Sequence, residues 1–98
     1  AVDKEKEMIL ILNNEGIRLK SESPMIGKSE VDVQGDYTGD RMEILVNPLF
    51  VLDPVKIINN EKVKMQFNEE ESPFLISDET GNFKSLVMPL EKVKPEDD

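Results

Sequence analysis

RMEILVNPLFVLDPVKII, residues 41–58, holds the change of rhythm on which the fold turns. Arg41 to Val46 reads as a strand. Asn47-Pro48 then starts a helix, because Asn can cap the first free amides and Pro fits the first helical position. Leu49, Phe50, Leu52, Val55 and Ile58 follow near helical spacing. Asp53-Pro54 interrupts them. A proline inside a helix loses a hydrogen bond and clashes with the preceding turn, at about 3 kcal/mol. The sequence therefore predicts a bent or restarted helix, with Asp53 as a second cap and Pro54 as a new first position. Asn59-Asn60 ends it.

Everything around this helix reads as strand. Upstream, Met8 to Leu12 is a short apolar run, bounded by charges and by Asn13-Asn14-Glu15-Gly16, and predicts a strand buried on both faces. Ile17 to Glu22 alternates, with Ile17 and Leu19 inward. The two make a hairpin in which Gly16 supplies a positive φ. Ser23 to Gly27 breaks the chain. Lys28 to Asp36 alternates around Val31 and Val33 and is polar enough for a sheet edge. Tyr37-Thr38-Gly39-Asp40 turns into the strand at Arg41. Downstream, Lys62 to Asn68 alternates, Glu69 to Ser72 turns, and Pro73 to Ser77 is a short strand with its proline at the beginning. Asp78 to Asn82 turns again, and Phe83 to Leu90 is the last strand. The class is α+β: an antiparallel sheet of about seven strands with one helix after the fourth, part of one sheet face being left uncovered.

Composition narrows the function classes. The chain has 98 residues, enough for one domain and one core. Hydrophobic residues at 38% and charged residues at 34% suit a globular domain. No apolar run nears the ~20 residues of a membrane-spanning helix, and the N-terminal residues lack a signal-peptide core. The first residue is Ala1 rather than Met, which reads as a processed or cut start. Without cysteine there are no disulfides or thiolate metal sites, which fits the cytoplasm. Without histidine the usual general base near neutral pH and the commonest metal ligand are missing. A net charge of −9 argues against simple nucleic-acid binding but leaves room for a local basic face.

The remaining candidates are weak as chemistry. Glu69-Glu70-Glu71 has no apolar flank to raise a pKa, so turn solvation is the ordinary reading. Asp36 to Asp40 and Asp78 to Asn82 lack the spacing of a calcium loop and are explained as turns. Lys62 and Lys64 share one strand face and Lys56 lies on the helix; a solvated face accounts for all three. Phe74, Ile76 and most other large apolar residues belong to a core. The end of the chain differs. Pro89 has no donor for a neighbouring strand. The backbone beyond Met88 is expected to leave the sheet and expose Leu90, beside a groove suited to a peptide.

Several stretches together resemble one family. They are Gly16-Ile17-Arg18-Leu19, Ser23-Pro24 with Gly27, Tyr37-Thr38-Gly39, Met42-Glu43-Ile44 with Asn47, Phe50-Val51-Leu52-Asp53, Ser72-Pro73 and Val87-Met88-Pro89-Leu90. Their order is similar to the C-terminal domain of the bacterial DNA polymerase III beta subunit, the replicative sliding clamp, over about Met8 to Leu90. The resemblance implies a clamp fold in a chain that does no chemistry and needs no cofactor or metal. Clamps are rings of two protomers, with helices around duplex DNA and sheets outside. They tether DNA polymerase III catalytic subunit, the clamp loader and other proteins carrying a Gln- and Leu/Phe-containing peptide.

On this chain the C-terminal half of the peptide pocket would be Asn47, Phe50, Pro73, Leu86, Met88, Pro89 and Leu90, and Lys56 would face DNA. Phe50 stands where Tyr is common, Glu91 where Arg is frequent, and Glu71 where some members are apolar; these bear on partner preference. Pro54 departs from the usual helix former. Residues 1–7 are expected to be a flexible start, 8–90 a clamp domain lacking its first strand and helix, and 91–98 an acidic tail. Such a piece would self-associate or pack on a partner. The competing expectation is a free-standing β-rich peptide-binding or structural domain with no DNA role.

Overall fold

The computed structural model describes residues 7–23, 27–59 and 62–92. The elements run β1 (Met8–Asn13), β2 (Gly16–Ser23), β3 (Gly27–Val33), β4 (Met42–Val46), α1 (Pro48–Ile58), β5 (Lys64–Gln66), β6 (Phe74–Ser77) and β7 (Lys84–Val87). The seven strands and the helix after the fourth are those read from the sequence. They divide into two antiparallel sheets, one ordered β3-β2-β1-β4 and the other β5-β6-β7.

The first sheet grows from the β1–β2 hairpin. Asn13 pairs with Gly16 across the turn, and the Asn13 side chain accepts the Glu15 amide at 2.8 Å. Gly16 has φ 128°, a conformation costly for any residue with a Cβ. From that turn the register places Leu10 opposite Leu19 and Leu12 opposite Ile17. On its other side β1 sets Leu10 against Ile44. One face of β1, with Leu10 and Leu12, is fully buried, while Ile9 and Ile11 are only half-buried. The expectation of burial on both faces is thus corrected: no helix covers the second face among the described residues. β3 is exposed along its whole length. It is held through the ladder to β2 and cross-strand pairs such as Arg18 with Asp32 at 2.8 Å.

The two sheets and α1 close on one core of Leu10, Leu12, Ile44, Val46, Ile58, Phe74, Ile76 and Val87. Burying each such side chain contributes about 1.5–3 kcal/mol. Phe74 stacks on Phe67 with ring centroids 4.9 Å apart, and Tyr37 meets Phe67 edge-on at 6.4 Å.

Helix α1 departs from expectation at Pro54. Asn47 caps it as read, accepting the Leu49 amide at 3.0 Å. The helix does not restart at Asp53; it continues through Pro54 to Asn59, whose left-handed conformation stops it. The inward stripe is Val51, Pro54, Val55 and Ile58, at i, i+3, i+4 and i+7. Pro54 is buried on that stripe, so its ring packing and the two sound caps offset the missing donor. The five apolar residues read at helical spacing divide between the two sides of the helix. Ile58 is buried and Val55 half-buried, but Leu49, Phe50 and Leu52 are exposed.

Candidate functional site

α1 and β7 flank an open groove of about 360 Å³, within the ordinary range of ligand pockets. The helix supplies Phe50, Asp53, Pro54 and Ile57. Phe50, Pro54 and Ile57 recur at i, i+4 and i+7 and so lie along one side of the helix. The other wall is Phe83, Ser85, Leu86, Val87 and Met88. Alternation in β7 buries Val87 and turns Leu86 outward, and Met88, just past the end of the strand, is exposed as well. Phe50 is 52% exposed, Ile57 64%, Leu86 71% and Met88 62%. Four large exposed apolar side chains thus share this one groove.

Asp53 is the ionisable group among the lining residues. Among the described residues no group of three or more Asp or Glu side chains could hold a metal ion. The Asp78 carboxylate accepts from the Thr80 hydroxyl at 2.9 Å and the Gly81 amide at 2.7 Å, so it organises its own turn. The groove can bury apolar side chains, and it presents neither a nucleophile–base pair nor paired acids.

The structure brings Phe50, Leu86 and Met88 together, and it leaves the other sequence-derived site residues off the lining. Asn47 is half-buried at the helix cap. Pro73 is exposed just before β6. Pro89 is buried. Leu90 is half-buried rather than exposed, because its amide donates to the Leu45 carbonyl at 2.8 Å. The chain does leave the ladder after Val87, as Pro89 suggests, but β4 recaptures it at Leu90, three residues on. Lys56 is exposed on α1. Asp53, Pro54, Ile57, Phe83, Ser85 and Val87 were missed. The helical three had a signal, since Pro54 and Ile57 share a side with Phe50. Phe83, Ser85 and Val87 alternate with Leu86 and so share the opposite face, although nothing local aims that strand at the helix.

The Glu69–Ser72 turn does more than meet solvent. Glu70 accepts the Glu43 amide at 2.7 Å and the Lys92 ammonium at 2.8 Å. Glu71 accepts the Lys92 amide at 2.8 Å. The Lys92 ammonium and the Glu43 amide hold the Glu70 carboxyl below its ordinary range.

The family model for the DNA polymerase III beta subunit, C-terminal domain, matches residues 1–91. The chain belongs to this family. It is similar to the beta sliding clamp of Chlamydia muridarum, 30% identical over 74 residues, covering 76% of this chain and 20% of the relative. To the beta sliding clamp of Bacillus subtilis it is 32% identical over 80 residues, covering 78% of this chain and 21% of the relative. The beta sliding clamp of C. crescentus superposes with a TM-score of 0.82 at 26% identity, over 94% of this chain and 25% of that one. The DNA polymerase III beta subunit of Thermotoga maritima gives 0.80 at 27% identity, over 90% and 24%. The fold is therefore the sliding-clamp fold, in a chain that spans about a fifth of the length of the curated relatives it matches.

Proposed function

We propose that this chain serves as part of a replicative sliding clamp, a processivity factor without catalytic activity, and that the α1–β7 groove receives the tethering peptides of its partners. The observation that carries the reading is the convergence of Phe50, Leu86 and Met88, all exposed, in a chain of the beta-subunit family. Apolar anchors of a short peptide gain most from such a groove, since peptide recognition places alternate side chains in pockets. Asn47, Pro73, Pro89 and Leu90 complete the peptide contact in this proposal by shaping the ends of the groove. The partners are the polymerase III catalytic subunit, the clamp loader and other proteins with the same peptide. Duplex DNA passes through a homodimeric ring, with Lys56 turned toward it, in the cytoplasm.

The test is a titration of the isotopically labelled chain with a Gln- and Leu/Phe-containing peptide, followed by NMR. Shifts centred on Phe50, Ile57, Leu86 and Met88 and reaching Asn47 and Leu90 are expected, and Met88→Ala or Leu90→Ala should weaken binding. Absence of binding both here and in a ring containing this domain would overturn the proposal.

A further inference from the structure

We infer that Glu70, Glu71 and Lys92 form a latch that fixes the distance between the two walls of the groove, making Glu70 and Lys92 positioning residues for peptide capture. The inference rests on the groove being the peptide site. The Met88 wall lies where the sheet has ended: β7 stops at Val87, and Pro89 has no amide hydrogen to donate. Order must come from downstream. Leu90 donates to Leu45 of β4 at 2.8 Å. Lys92 is then held twice, through its amide by Glu71 and through its ammonium by Glu70, each at 2.8 Å.

The other oxygen of Glu70 accepts the amide of Glu43, also on β4, at 2.7 Å. β4 leads directly through the Asn47 cap to Phe50, the opposite wall. One carboxylate thus joins the strand that positions Phe50 to the segment that positions Met88. Arg41, which is paired with Glu43, and Lys92 are the cations facing Glu70. With the latch open, the segment after Val87 would keep the buried Pro89 and the Leu90–Leu45 hydrogen bond but lose both holds on Lys92, and a peptide would have to order more of that wall on binding.

Lys92→Glu tests this, with Lys92→Arg as the conservative variant. Two readouts apply: hydrogen exchange at the Leu90 amide, and affinity for the same peptide. Lys92→Glu should speed Leu90 exchange at least threefold and weaken the peptide about three- to fivefold, and Lys92→Arg should restore both. Faster exchange with unchanged affinity, while Phe50→Ala still weakens the peptide, would reduce the latch to a structural tie and overturn the inference. Unchanged exchange would overturn it regardless of peptide. If Phe50→Ala left peptide binding untouched, the site reading would fall, and Leu90 exchange alone would decide whether the latch orders the segment.

Discussion

Replacing Phe50 by Ala separates binding from folding at a single position. About half of this residue's surface faces solvent, 52% by exposure. A phenylalanine offers roughly 200 Å² for burial, so a peptide seated in the groove could cover about 100 Å² of it. At about 25 cal/mol per Å² that is about 2.5 kcal/mol, or roughly a 60-fold loss of affinity if all of it is forfeited. Incomplete coverage lowers the expectation to between about 10- and 60-fold. Stability should fall too, but within a bound: the roughly 100 Å² of Phe50 already covered in the fold is worth at most about 2.5 kcal/mol by the same arithmetic, and about 1–2 kcal/mol once the partly covered unfolded chain is counted. The assay is a peptide titration by fluorescence anisotropy beside urea unfolding of both proteins. An affinity within twofold of the parent, with stability inside that bound, would refute the groove as the peptide site. A collapse of stability by 3 kcal/mol or more would instead show that Phe50 belongs to the core.

Phe74→Ala should give the opposite pattern. Phe74 is 1% exposed and stacked on Phe67, so urea unfolding should report a loss of about 3–5 kcal/mol. Asn47→Ala removes the cap acceptor of the Leu49 amide and should cost about 1 kcal/mol by the same measurement, with helicity lost first at the start of α1. Glu70→Gln should cost about 1 kcal/mol near neutral pH, a figure kept small because Glu70 and Lys92 are both partly solvated. The sign with pH follows from the direction of the shift. Glu70 is more acidic folded than its ordinary 4.5. Its contribution is therefore complete above about that pH and fades as pH falls through the lower folded value. Unfolding curves of parent and variant should converge in acid; a gap that persists there would disprove the charged role.

Local chemistry wrote much of this fold plainly. The β1–β2 register follows from alternation plus Gly16, and the start of α1 follows from Asn47-Pro48. What was hidden depends on distance in sequence. Strand pattern alone does not say that seven strands divide as four and three, because that split comes from which inward faces meet. Pro54 was misjudged for a related reason. Its local cost was visible, but the burial of its ring on the core-facing stripe was not.

The candidate site divides along the same line. Leu86 turns outward because Val87 turns inward, a fact contained in adjacent letters. The recapture of Leu90 by Leu45 and of Lys92 by Glu70 spans far more chain, with Glu70 and Lys92 22 residues apart. The acidic turn that reads as mere solvation is the partner that the end of the chain needs once Pro89 has taken it out of the ladder. Proline breaks the sheet, and the carboxylates two loops away then decide where the freed segment goes. A groove wall that is neither strand nor free tail is the physical result, and it is adjustable by charge without touching the apolar surface that a peptide would meet.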